Sequence, residues 1–152
     1  MKIKMIIALV LVLFAAASLL YTFTSDSDSR ASESALQAEN TDQIYAFYLH
    51  GNKRCQTCNT IETYSHEAIL AKFGDNTESG ELIWKTLNFE EPENEHYITE
   101  FELYAHSLVL VEFEGEQIKR YKNLEKVWEL VGDQEAFYQY VQNETESFLE
   151  GI

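Results

Sequence analysis

Apolar positions along this chain recur with two different rhythms, and together they assign elements from residue 43 onward. Ile44-Tyr45-Ala46-Phe47-Tyr48-Leu49-His50 is a nearly continuous apolar run of strand length, closed by a turn at Gly51-Asn52-Lys53-Arg54. Ile61, Tyr64, Ala68, Ile69 and Phe73 then recur at helical spacing, which predicts a helix from about Cys55 to Phe73. Gly74 is placed to end that helix, and Asp75–Glu81 reads as a polar loop. A second strand is expected over Leu82–Phe89. A second helix, from about Glu93 to Tyr104, starts near Pro92 and carries Tyr97, Phe101 and Tyr104 on one face. Ser107–Phe113 reads as a third strand. The Glu114-Gly115-Glu116 turn returns the chain into an alternating stretch, Gln117–Tyr121, as an antiparallel hairpin. Asn123 is placed to cap a helix over Leu124–Val131 that stops at Gly132. Asp133 caps a last helix with Phe137, Tyr140, Val141 and Phe148 as its apolar stripe.

The element order βαβαββα predicts an α/β domain over residues 43–150, a three-layer α/β/α sandwich with helices on both faces of the sheet. Helical crossovers imply that the first three strands run parallel, with the hairpin adding one antiparallel edge strand.

The amino-terminal part has a different pattern. Lys2 and Lys4 precede an uncharged stretch, Met5–Phe23, and Ser25-Asp26-Ser27-Asp28 follows it, so residues 1–23 read as a signal anchor or signal peptide forming an apolar helix. Ala15-Ala16-Ala17 offers a small-residue cleavage site. Cleavage there would leave Leu19, Leu20, Tyr21 and Phe23 as an apolar new terminus, which favours the uncleaved anchor; a cleaved chain would be secreted. In either case the positive-inside rule keeps Lys2 and Lys4 in the cytoplasm and places the domain on the extracytoplasmic (periplasmic or cell-surface) side. Residues 24–42 are rich in Ser, Asp, Glu and Ala with few large apolar side chains and read as a flexible tether. Its typical end-to-end distance would be roughly 25 Å.

The formal net charge is −15 over 152 residues, with Glu90, Glu91, Glu93 and Glu95 in one short stretch. A nucleic-acid partner is excluded on that balance, and the acidity otherwise describes a solvated surface. Glycine-rich phosphate loops, a nucleophilic serine elbow and metalloprotease motifs are absent, so nucleotide hydrolysis and ester hydrolysis have no foothold. The numerous aromatic side chains fall on predicted core faces and read as packing.

Chemistry enters with the only two cysteines, Cys55 and Cys58, two residues apart where the first strand gives way to the first helix. A helix amino terminus stabilises a thiolate through its unpaired N–H groups, so this placement points to thiol redox chemistry. A purely structural disulfide explains less, because closing so short a loop constrains the unfolded chain by only about 2 kcal/mol. Metal binding is the sharper rival: two thiolates at this spacing can hold Cu(I) or contribute half of a zinc site. His50, His66, His96 and His106 supply no paired ligand spacing to complete one.

Cys55-Gln56-Thr57-Cys58 after the first strand, the element order, and the Leu108–Phe113 strand with its hairpin together resemble the thioredoxin-like superfamily over Ile44–Leu149. Within it, the chain looks like the small exported thioredoxin-like family named for nitrophenyl-compound nitroreductase subunits. The resemblance implies a mechanism in which Cys55 attacks a substrate disulfide as thiolate and Cys58 resolves the mixed disulfide. Arg54 and Lys53 are the candidate cations tuning that thiolate. It also places the loop at His106 opposite Cys55. His106, Ser107 and, at the end of the first strand, His50 are then candidates for proton relay or substrate contact, and His106 is the candidate third ligand in a metal reading with Cys55 and Cys58.

The sequence departs from the thioredoxin pattern at His106-Ser107, where the superfamily usually has a cis-proline, and in the first strand, which lacks a buried acid. Gln56-Thr57 also replaces the Gly-Pro of general disulfide reductases. The expected activity is a membrane-tethered thiol:disulfide oxidoreductase without a bound organic cofactor. Its partners would be protein or small-molecule thiols and disulfides, with a membrane redox partner as an option. The alternative is a non-catalytic module of the same fold that handles metal or serves as a subunit of a membrane assembly. No flavin site is recognisable, so nitro-group reduction is not expected.

Overall fold

The structure is a computed structural model and describes residues 43–151. The apolar segment 5–23 and the tether 24–42 lie outside the described residues. Strand β1 is Gln43–His50, helix α1 Gln56–Ser79, strand β2 Leu82–Asn88 and helix α2 His96–Glu100. Strands β3 (Ser107–Glu114) and β4 (Gln117–Asn123) form a hairpin, followed by α3 (Val127–Leu130) and α4 (Gln134–Leu149). The four strands make one mixed sheet in the order β2-β1-β3-β4.

Alternation along β1 and β3 builds two cores. Ala46 and Tyr48 of β1 and Leu108 and Leu110 of β3 point to one face, where they pack with Ile61, Ala68, Ile69 and Phe73 of α1 and Phe137, Val141 and Phe148 of α4. Phe47, Leu49, Val109 and Val111 point to the other, under Phe101 and Leu103. A strand buried on both faces must be apolar at every position, which is why β1 and β3 show continuous runs. Within β3, the buried charge is Glu112, only 6% exposed, held by Lys119 at 2.8 Å and by Arg120 from the neighbouring strand. The protein is therefore α/β, with a central mixed sheet and helical segments on both sides.

The expectation of three parallel strands is corrected. β1 and β2 are parallel, but β3 runs antiparallel to β1, with Leu49 paired to Ser107 and Gln43 to Phe113. The reason lies in the connection. The 24-residue α1 is long enough to carry the chain back along the sheet, whereas α2 has five residues, about 7 Å of helix against about 25 Å of strand. The chain after Asn88 therefore stays at the end of the sheet where β2 finishes, and β3 starts there.

Other boundaries also shift. α1 does not stop at Gly74: Phe73 takes non-helical angles (φ −116°, ψ 27°), the helix resumes, and Gly80 at φ 80° ends it. Thr77 Oγ1 on the Gly74 carbonyl at 2.7 Å and Ser79 Oγ on that of Asn76 at 3.1 Å satisfy backbone groups in this polar last stretch. The predicted Glu93–Tyr104 helix shrinks to α2, because Glu102 takes a left-handed φ of 52° and turns the chain. Tyr104 is consequently 93% exposed and leaves the expected apolar face, while Leu103 is buried. The Leu124–Val131 helix is likewise reduced to α3, with Asn123 closing β4. Among the described residues no helix is long and apolar enough to cross a membrane.

Candidate functional site

The carboxyl end of β1, the amino end of α1 and the start of β3 converge at one end of the sheet. Cys55 is the N-cap of α1, in extended geometry (φ −93°, ψ 164°), and its Sγ accepts a hydrogen bond from the Cys58 backbone N–H at 3.0 Å. Its carbonyl accepts the first helical bond, from Asn59 N–H at 3.0 Å. Gly51 is buried beside this turn, where a Cβ would lie 3.3 Å from the Phe89 ring and would displace the Glu90 carboxylate, whose Oε1 is 2.5 Å away.

Cys55 and Cys58 are joined by a disulfide, with Cα atoms 5.0 Å apart. Their environments differ. Cys55 is exposed, whereas Cys58, one turn into the helix, is only 4% exposed. On reduction the outer sulfur would be reached from solvent and would already have an N–H donor directed at it, while the inner sulfur would be shielded. That asymmetry suits a pair in which one thiol attacks and the other resolves.

Arg54 is exposed, pairs with Glu62 of α1, and has its guanidinium 5.8 Å from the Tyr48 ring centroid. Lys53 is exposed on the same turn. His106 lies just before β3, and its Nε2 accepts from the Gly51 backbone N–H at 3.2 Å, which places the proton of the neutral ring on Nδ1. Nδ1 is buried without a protein partner among the described residues. Burial first, then the His50 and Arg54 charges, push the His106 pKa below its ordinary value, against the opposing pull of Glu90. His50 is nearby, its ring centroid 6.4 Å from that of His106 and its Nδ1 3.0 Å from the Gly51 carbonyl oxygen. Ser107 is buried, and its Oγ donates to the Ala105 carbonyl at 3.2 Å. The structure therefore brings His50, His106 and Ser107 to the end of the sheet that carries the cysteines. The hydrogen bond to Gly51 makes His106 a brace for the loop that leads to Cys55.

Several residues of this site were not singled out from sequence. Tyr48 donates its hydroxyl to the Cys58 carbonyl at 2.6 Å, and burial raises its pKa so that it remains a neutral donor. Trp128 Nε1 donates to the His106 carbonyl at 2.8 Å and anchors the start of β3. Asn52 bonds Glu90 and accepts from Asn88 Nδ2 at 2.9 Å, which ties the turn to the end of β2. The available signal was the buried tyrosine in an otherwise apolar strand, whose hydroxyl must find a partner. Beside the site, Tyr104, Ala105, Ser107, Asn123, Glu125 and Trp128 line an open cavity of about 260 Å³.

Among the described residues no group of three or more His, Cys, Asp or Glu side chains is arranged to hold a metal ion. His106 Nε2, the proposed third ligand beside the two sulfurs, is directed at Gly51. No family model matches this sequence, and no curated protein sequence matches it.

Proposed function

We propose that the protein is a thioredoxin-like thiol:disulfide oxidoreductase working through Cys55 and Cys58, tethered by its amino-terminal apolar segment to the extracytoplasmic face of a membrane. The observation that carries this reading is the disulfide itself, with an exposed sulfur on the N-cap of a long helix and a shielded one a turn further on. The strand order β2-β1-β3-β4, with β3 antiparallel, supports the thioredoxin-like comparison because it brings the start of β3 to the end of β1, beside the turn leading to Cys55.

In the reductive direction, the Cys55 thiolate attacks one sulfur of a substrate disulfide. The Cys55–substrate S–S bond forms as the substrate S–S bond breaks, and the leaving thiolate takes a proton from solvent. Cys58, deprotonated, then attacks Cys55 Sγ and expels the second substrate thiolate, which leaves the Cys55–Cys58 disulfide and two substrate thiols. The oxidative direction is the reverse. The Cys58 N–H directed at Cys55 Sγ and the helix terminus favour the thiolate on residue 55, and Arg54, next to it in the chain, adds a cation whose charge Glu62 partly offsets. Substrates are thiols or disulfides of proteins or small molecules that reach the exposed sulfur.

The experiment that tests this traps the intermediate. A Cys58→Ser variant lacks the resolving thiol and should accumulate a mixed disulfide through Cys55 when offered oxidised glutathione or a disulfide-containing peptide. Cys55→Ser should accumulate none. Equal trapping by the two variants, or none by either, would remove the assignment of roles.

A further inference from the structure

We propose that Glu62 is a positioning residue that sets how strongly Arg54 stabilises the Cys55 thiolate, so that a carboxylate two helical turns away moderates the reactivity of the pair. This inference rests on the redox reading above and names the control acting on that same site. Glu62 follows Cys55 along α1 by about 10 Å of helix axis. Its two oxygens have different partners: Oε2 takes the Arg54 Nη2 group, and Oε1 accepts from Thr86 Oγ1 at 3.1 Å. Thr86 belongs to β2, an edge strand of the sheet, so the carboxylate is fixed from the sheet as well as from its own helix.

The guanidinium is thereby held between the Glu62 carboxylate and the Tyr48 ring, the same tyrosine whose hydroxyl bonds the Cys58 carbonyl. The Arg54 and Glu62 side chains are 29% and 27% exposed, so solvent screens the pair only in part. A cation beside a thiol lowers its pKa, but this cation is neutralised and restrained by a carboxylate. Loss of the negative charge leaves the guanidinium free to turn toward the sulfur with its field uncompensated. The thiolate gains, and so does the reduced state of the pair.

Glu62→Gln keeps the length of the side chain and its acceptor for Thr86 while removing the charge. In the reduced full-length protein the Cys55 pKa should fall by about half a unit as the released guanidinium's field reaches the sulfur, more than the roughly 0.3 unit or less that a solvent-screened charge at about 10 Å exerts by itself, which means about three-fold more thiolate at a pH below that pKa. The reduction potential should rise in the same variant, because the reduced form is favoured.

The test measures the pH dependence of Cys55 alkylation and the reduction potential for the native protein, Glu62→Gln, Arg54→Gln and the double variant. Glu62→Gln should lower the pKa, Arg54→Gln should raise it, and in the Arg54→Gln background the Glu62 change should move it much less. An unmoved pKa and potential in Glu62→Gln, or a shift of equal size with and without Arg54, would overturn the inference while leaving a cycling native pair intact. A native protein whose cysteines do not cycle at all would overturn the redox reading beneath it.

Discussion

Tyr48 shows what a single residue does in this structure. Its ring belongs to the core formed with α1 and α4, and its hydroxyl reaches the Cys58 carbonyl at 2.6 Å, so one side chain links the sheet to the turn of α1 that carries the inner cysteine. Tyr48→Phe should retain the packing but leave that carbonyl without its donor, at a cost of about 1 kcal/mol in denaturant unfolding of the oxidised protein; an unchanged midpoint would contradict this role. The cysteine pair was legible in the sequence because two residues of a rare type stood at a strand-to-helix junction. Tyr48 was legible only as core, since its bonding partner lies ten residues on and becomes a neighbour only after α1 docks. The same holds for His106, whose contact with Gly51 spans 55 positions, and for Glu62, which takes its meaning from Arg54 and Thr86 together.

At the scale of elements, periodicity identified every strand and the two long helices, because burial on one or both faces imposes its rhythm locally. The direction of β3 was not local. It depends on where the chain between Asn88 and Ser107 ends, and the left-handed turn at Glu102 that shortens this connection carries no glycine to announce it. The length of α1 was hidden similarly, since polar residues after Phe73 continue a helix whose core contacts have ended.

The β3–β4 hairpin contains a second buried surprise, Glu112, which is bound by Lys119 and Arg120. Arg120 in turn donates to the Phe148 carbonyl at 2.6 Å and lies 4.2 Å from the Phe148 ring centroid, tying the hairpin to the end of α4. The hydrogen bonds from Lys119 and Arg120 hold the Glu112 carboxyl below the ordinary carboxylate range. A depressed folded pKa means that this contribution to stability is fully present above the unfolded value and is lost as pH falls through the lower, folded one. Glu112→Gln should therefore cost about 1–3 kcal/mol at pH 7 and progressively less in acid, read by denaturant unfolding at both pH values. A cost independent of pH would contradict the ionic account.

Across the described residues, the two cores fix the sheet from both faces, and the cysteines follow the end of β1, beside the start of β3 and at the start of α1. The chain carries a net charge of −15, but screening over about 8 Å at physiological ionic strength weakens the distant carboxylates relative to groups close to the sulfur, such as the Cys58 N–H directed at Cys55 Sγ. The most direct measurement is a pulse of iodoacetamide on the reduced protein at a series of pH values, with each cysteine quantified by mass spectrometry. Cys55 should be labelled first, with an apparent pKa below the ordinary value of about 8.5, and Cys58 should be labelled slowly. Equal rates, or faster labelling of Cys58, would contradict the account.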